Sequence, residues 1–425
     1  MKKKLFTLIS QGCRLNHSET AGLVNEFKAH GYNEVGLESN PELIVVNTCT
    51  VTENGDKDTI KLVRKINSSC SNPNIALIGC QSQIKKDALL KLENVNWVVG
   101  NENKETTVSL ITQNKPGLYV KKIEKKPFFQ SFSSFDPKHT RVNLKIQDGC
   151  DFYCSFCIIP FARGPARSRD FNNIIDDAKG LINLGVKEIV LTGINLGTYE
   201  NNGYGFYELL EALLKISPTT RIRISSIEPT TIDIRLIEYW IKYPNFCKYL
   251  HLPIQSATDD ILRSMRRKYT VKDYMTYIDQ IRKSIPEICI GTDVIVGFPG
   301  ESNQLFKETY DQLSKSEINY FHVFSYSERQ MAHARKFTEQ VERSEIKKRS
   351  ELLRNLHSQR WQKYMKSKVN QNANVLFEQK KQGAWIGTTE NFIKVKVDSN
   401  QNLKNKLCQI NLTSVEHNNM LGELI

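Results

Sequence analysis

Nine residues constrain this chain more than any others. In 149–157 three thiols, Cys150, Cys154 and Cys157, follow a C-x3-C-x2-C spacing behind an apolar, strand-like segment at 142–146. Three thiols on one short loop can point at a common centre and hold an iron–sulfur cluster through three of its irons. A cubane cluster then keeps one iron without a protein ligand, free to bind a small molecule, which turns an electron carrier into a catalytic site. The competing use of such a loop is a zinc knuckle, but structural zinc takes four ligands and usually sets one CxxC against another pair.

At 425 residues the chain is long enough for two or three domains, each with its own core. No apolar run approaches the ~20 residues of a membrane span, so no membrane partner is expected. The start, 1–10, imitates the basic front of a signal peptide. Its apolar part is too short for a signal core and runs into Gln11-Gly12-Cys13 with no small-residue cleavage site, so a first β-strand is expected there. Ten cysteines without a secretion signal belong in a reducing compartment, where they are metal ligands sooner than disulfides. The expected location is the cytoplasm.

Three more cysteines share a second pattern. Cys13, Cys49 and Cys80 each follow an apolar strand, at 5–9, 43–46 and 75–78, and each has polar loop neighbours. In a parallel α/β sheet the carboxyl ends of the strands lie along one edge, where ligands bind. Thiols distant in sequence can therefore converge. Singly each would be an ordinary buried cysteine; together they read as a second three-cysteine cluster. Cys70, Cys247, Cys289 and Cys408 lack such context and are expected to be structural.

Strand–helix alternation over 1–120, with helices expected at 19–30 and 55–66, describes a small doubly wound α/β domain. The stretch 121–138, basic and then rich in Phe and Ser, is expected to be a linker or a sheet-edge crossing. Alternation resumes over 139–369, with strands expected at 142–146, 188–192, 221–225, 249–254, 288–295 and 320–324, matching an open, partial (β/α)6 barrel. Short strands at 373–379, 384–387, 393–397 and 408–412, separated by Gly, Asn and Lys turns, make 370–425 a compact OB-like β-barrel.

The cysteine loop, with its aromatics and preceding strand, resembles that of the radical S-adenosylmethionine (SAM) enzymes. Taken with the Gly-Cys, Asn-Thr-Cys and Gly-Cys-x-x-Gln strand ends before it and the small β-domain after it, the whole chain resembles the methylthiotransferase family. The run 158–169 (IIPFARGPARSR), Ser225-Ser226-Ile227-Glu228-Pro229 and Met265-Arg266-Arg267-Lys268-Tyr269-Thr270 resemble the branch acting on N(6)-threonylcarbamoyladenosine in tRNA. The stretch 387–392 (GTTENF) is similar to the terminal TRAM module. One departure is Met331-Ala332, where the family usually carries Gly-Thr; glycine there would give backbone freedom or close approach. All six cluster thiols are intact.

The resemblance implies the chemistry. An unactivated aromatic C–H has no easy acid–base route to C–S, so a cofactor must supply a radical. Cys150, Cys154 and Cys157 would hold a 4Fe–4S cluster whose open iron binds SAM and cleaves it to methionine and a 5′-deoxyadenosyl radical, which activates carbon 2 of the base. Cys13, Cys49 and Cys80 would hold a second 4Fe–4S cluster that carries or donates sulfur, and a second SAM would supply the methyl group. An electron donor such as flavodoxin or ferredoxin, and a sulfur source, are implied partners. SAM would be held at strand ends, by Thr192, Gly193 and Asn195, by Ser226 and Glu228, by Gln255, and by Asp293, Ile295 and Gly297. Each alone fits a strand-to-helix turn with a capping residue; inside this fold they read as a pocket.

Charge points to the partner. The net charge is +13, and residues 335–370 hold eleven Lys/Arg against four Glu. Helical spacing of Leu352, Leu353, Leu356 and Tyr364 leaves a basic face that includes Lys347, Lys348 and Arg349. Arg163, Arg167 and Arg169 follow the cysteine loop, and Arg266 and Arg267 belong to a second group. A solvated basic face is the ordinary meaning of such runs, but arginines beside a catalytic loop favour tRNA, and these eight are the expected RNA contacts. Three readings remain open: a tRNA methylthiotransferase, with isopentenyl-adenosine as an alternative base; an enzyme of the same family acting on a ribosomal-protein side chain, against which the Arg-Gly-x-x-Arg-Ser-Arg form argues; and a two-cluster electron carrier, which would need a fourth thiol near each trio.

Overall fold

The computed structural model describes residues 4–128, 130, 133 and 135–425. The strands Leu5–Ser10, Leu43–Thr48, Asn74–Gly79 and Val95–Val99 are apolar almost throughout, as strands covered on both faces must be. With the short strands Asn33–Glu34 and Gly117–Tyr119 they form one parallel six-stranded sheet, in the spatial order 33–34, 5–10, 43–48, 74–79, 95–99, 117–119. Successive residues serve opposite cores. Val45, Ala76 and Val99 join Phe6, Leu23 and Phe27 on one face, while Ile44, Val46 and Ile75 join Val63 and Ile66 on the other. The sheet is doubly wound, as expected. Both major helices begin earlier than apolar periodicity indicates: Arg14–Ala29 starts directly after Cys13, and Glu53–Ser69 is capped by Thr52, which accepts from the Gly55 amide at 3.2 Å.

The central strands Arg141–Lys145, Glu188–Thr192, Arg221–Ile224, Tyr249–His251, Cys289–Val296 and Tyr320–Ser325 run parallel in sequence order, as two three-stranded sheets joined by single bridges at Ile222–Phe246 and Ser226–His251. Val142, Leu144, Ile189, Leu191, Ile222 and Leu250 face the helices in one continuous core. The residues between them, Arg141, Glu188, Arg223, Tyr249 and His251, therefore face inward. This is the open (β/α)6 half-barrel. After the first sheet Ile123 is buried, and a Cβ on Gly164 would stand 2.6 Å from it.

The chain ends in a closed five-stranded barrel, in the order Asn372–Lys381, Ala384–Thr389, Lys394–Asp398, Asn419–Leu424, Leu407–Glu416; the strand Asn419–Leu424 was not among those expected. It docks on the amino-terminal ends of the half-barrel strands. There Arg223 donates to the carbonyls of Thr389 (3.1 Å) and Glu390 (2.9 Å), and Arg221 to those of Asn374 and Thr388. Glu188, buried between them, takes Arg223 at 2.7 Å. Among the described residues no helix is long and apolar enough to cross a membrane. Cys70, Cys247 and Cys289 are buried.

Candidate active site

The cysteine loop leaves the first barrel strand through Gly149, whose φ is +74° and whose missing Cβ would sit 2.0 Å from the Pro165 carbonyl oxygen, so only glycine fits. The Cys150 amide donates to Gly164 O (3.0 Å) and the Cys157 amide to Cys154 O (3.0 Å). Ser155 anchors the far side, its amide bonded to Met265 O (3.1 Å) and its hydroxyl to Ser264 O (2.7 Å). Burial pushes the Cys150 thiol up to about 11 and Cys157 up to about 12, with the other thiols adding to both shifts. A bound iron centre would override this, since coordination removes the thiol proton outright. Cys154 and Cys157 open into a cavity of about 380 Å³ lined also by Tyr153, Phe161, Arg266 and Met331. Ala332 is buried and its amide bonds Arg329 O (3.0 Å), so the Met-Ala pair closes a turn at this cavity's rim with Met331 outward.

The second trio converges too. Gly12 (φ +91°) lies so close to Cys49 that a Cβ would stand 2.7 Å from the Cys49 Cβ and 2.8 Å from its Sγ. Burial pushes the Cys49 thiol up to about 11, and Cys80 and Cys13 push it further. Asn101 ties this trio to the other: its Nδ2 lies 3.6 Å from Cys80 Sγ and 2.6 Å from the carbonyl of Ala162, in the short helix Ile159–Arg163 that follows Cys157. Neither trio has all its sulfurs within 4.8 Å of one another; among the described residues only His251, Asp293 and His322 form such a group. A single zinc ion, with Zn–S about 2.3 Å, would need them within about 4 Å. Among the described residues each trio offers three thiols and no fourth, the ligand number that a cubane with one open iron takes.

The strand-end residues expected to hold SAM lie around the mouth of the half-barrel. Gln147, which sequence reasoning missed, fixes the first of these turns: its Oε1 accepts from the amides of Ile194 and Asn195, each at 2.9 Å, and a Cβ on Gly193 would press on it at 3.0 Å. Asn195 is buried with Oδ1 unpartnered among the described residues, and Thr192 is buried beside it. Ser226 is half-buried and bridges to His251. Burial raises the pKa of Glu228 against the pull of Arg267, which it meets at 2.6 Å. Gln255 (φ +69°) accepts the Ile295 amide on its carbonyl (2.9 Å), and Ile295 and Phe156 of the cysteine loop both pack against the buried group of Ile261, Met265, Phe298 and Ala334. Burial would raise Asp293, yet His251 (2.9 Å) and His322 (3.2 Å) hold it well below the carboxylate range. Gly297 (φ +77°) stands against Ile346, which a Cβ there would meet at 2.3 Å.

Five of the eight expected RNA contacts are corrected by burial. Arg163 is fully buried against Glu19 (3.0 Å), Asp148 (2.9 Å) and Asn16 (2.5 Å). Arg167 pairs with Asp148 and Glu102, and Arg169 with Asp177 (3.1 Å) and Asn173 (2.7 Å). Arg267 bonds Glu228 and points Nη1 at Cys154 Sγ, 3.3 Å away, so it serves the cysteine loop. Arg349 joins Glu301 (2.6 Å) and Asn303, locking the turn after Gly297. A guanidinium sequestered with carboxylates is unavailable to phosphate. Arg266, Lys347 and Lys348 are exposed.

Known proteins are similar to this chain. A family model described as Radical SAM superfamily matches residues 144–313, and one described as Uncharacterized protein family UPF0004 matches 5–100. A Bacillus subtilis (strain 168) protein named threonylcarbamoyladenosine tRNA methylthiotransferase MtaB is 34% identical over 415 residues, covering 94% of this chain and 92% of its own. A Campylobacter jejuni subsp. doylei protein named tRNA-2-methylthio-N(6)-dimethylallyladenosine synthase is 31% identical, covering 100% of this chain and 99% of its own. Among solved structures, the radical SAM methyltransferase TsrM from Kitasatospora setae, with cobalamin and a [4Fe-4S] cluster bound, aligns with a TM-score of 0.58 at 12% identity over 76% of this chain and 72% of that one, a likeness of fold.

Proposed function

Because this chain belongs to the radical SAM tRNA methylthiotransferases, we propose that it adds a methylthio group to carbon 2 of N(6)-threonylcarbamoyladenosine in tRNA, in the cytoplasm, with a 4Fe–4S cluster on each cysteine trio. The observation that carries the two-cluster reading is the pair of converging trios joined through Asn101 and Ala162. Sulfur held at one trio can then reach a base activated at the other without leaving the protein. The threonylcarbamoyl branch is supported by the 34% identity to a relative so named.

When bound, the cluster on Cys150, Cys154 and Cys157 supplies one-electron cleavage of SAM, and an electron donor and a sulfur source complete the turnover. The chain's own residues do the positioning. Arg267 donates to Cys154 Sγ, offsetting thiolate charge, and orients Glu228, whose oxygens can take ribose hydroxyls. Gln147 holds the turn that offers Asn195 Oδ1 to the amino group of SAM. Phe156 and Ile295 give the adenine an apolar wall and exclude water.

Nucleoside mass spectrometry of tRNA from a strain lacking the gene tests the reading. Threonylcarbamoyladenosine should lose its 2-methylthio group while the isopentenyl product stays unchanged. Loss of the isopentenyl product instead would assign the dimethylallyl substrate; loss of neither would point to a protein side chain.

A further inference from the structure

Arg14 follows Cys13 and reaches from the first domain toward the inner face of the half-barrel. Its guanidinium carbon lies 5.8 Å from the ring centre of Phe392, and it has no ion-pair or hydrogen-bond partner among the described residues. The other cations here share two carboxylates: Glu188 takes Arg223 at 2.7 Å and Arg221 at 3.8 Å, and Glu378 takes Arg141 at 3.2 Å and Lys394 at 3.0 Å, while Arg14 pairs with neither. Burial lowers the pKa of Arg14, and Arg141 and Arg223 lower it further. An arginine stays charged even so, and a half-buried cation without a partner is costly unless an anion arrives.

Beneath it is a built platform. Phe392 lies against Tyr249 with ring centres 4.6 Å apart, Tyr249 bonds Tyr320 at 2.7 Å, and Tyr320 bonds His251 Nδ1 at 2.9 Å. Phe392 has φ +72°, a left-handed conformation that a bulky aromatic adopts only where its surroundings enforce it. Arg14 also lines a cavity of about 450 Å³ with Ser10, His17, Arg141 and Asn143, between the first helix and the first barrel strand, so an anionic group entering it meets one unpaired guanidinium beside these rings. The threonylcarbamoyl group ends in a carboxylate, which the planar fork of arginine can take through two parallel hydrogen bonds. A dimethylallyl group ends in methyls and offers no charge.

We infer that Arg14, set over Phe392, holds the carboxylate end of the N6 substituent and so selects the threonylcarbamoyl base over an uncharged one. This rests on the substrate reading above.

The test compares wild type, Arg14→Gln and Arg14→Lys for affinity toward three anticodon stem-loops. One carries threonylcarbamoyladenosine, one the same nucleoside with its carboxylate amidated, and one dimethylallyladenosine. Wild type should prefer the free carboxylate over the amide by about ten- to a hundredfold, the range of a charge-assisted hydrogen bond. Arg14→Gln should bind the two alike, and Arg14→Lys should keep part of the preference, with the iron content of all three equal. A preference that persists in Arg14→Gln would overturn the inference. So would an equal loss on both stem-loops, which would assign Arg14 to a backbone phosphate. Should wild type itself favour and methylthiolate the dimethylallyl stem-loop, the substrate reading fails and takes the inference with it, a result read on wild type alone.

Discussion

Arg163→Ala separates a structural arginine from an RNA contact. The side chain is fully buried and joins Asn16 and Glu19 of the first domain to Asp148 of the half-barrel. Burial alone would raise both carboxyls. For Glu19 it is outweighed by Arg163, Lys104 and Lys145, and for Asp148 by Lys145, Arg163 and Arg167, so both lie well below the ordinary carboxylate range. In the variant Glu19 keeps Lys104 (2.5 Å) and Lys145 (2.8 Å), and Asp148 keeps Lys145 and Arg167. Breaking a buried pair costs about 3–5 kcal/mol, and with these cations left the lower end, about 3 kcal/mol, is expected. The pH sign follows from the depressed folded values. The stabilisation is present above the unfolded pKa of about 4 and is lost as pH falls through the folded pKa. Removing Arg163 raises the folded values, so the acid unfolding limb should move to higher pH. Urea unfolding of the apo protein, followed by tryptophan fluorescence across that range, measures both effects. An unchanged urea midpoint, together with a tRNA salt slope flattened by about one unit, would refute the structural role and restore the phosphate contact.

The trios predict separable losses: Cys49→Ala with Cys80→Ala should remove about half the reconstituted iron and leave SAM cleavage, whereas Cys154→Ala should abolish cleavage, and full cleavage by that variant would sink the assignment. Gly12→Ala should deplete the same first trio without touching a thiol, because its Cβ would stand 2.7 Å from that of Cys49; iron analysis showing the full complement would contradict the convergence. Lys347→Ala with Lys348→Ala should weaken tRNA binding and flatten the salt slope by about two units, using the duplex value of about 0.9 per contact. Arg349→Ala should act on stability instead, through its buried bonds to Glu301, and parallel salt slopes for the lysine pair would leave that helix face merely solvated.

By itself the sequence determined the order of folds and which thiols stand at strand ends. Strand apolarity, helix-length spacing and the position of each thiol at a strand end are local patterns, and parallel topology then forces strand ends to one edge, so Cys13, Cys49 and Cys80 had to meet. Charge was legible only as a count. Arg163, Arg167, Arg169, Arg267 and Arg349 read as a phosphate-binding surface because their partners, Glu19, Asp148, Asp177, Glu228 and Glu301, lie elsewhere along the chain or on other elements, and only tertiary packing brings them together. Gln147 and Asn101 escaped notice for the same reason, since an amide acquires a role only when a turn or a thiol from another segment is laid against it. Arg14 is the converse case: its neighbouring arginines find carboxylates in the fold and it does not, a difference in partners that no local pattern contains.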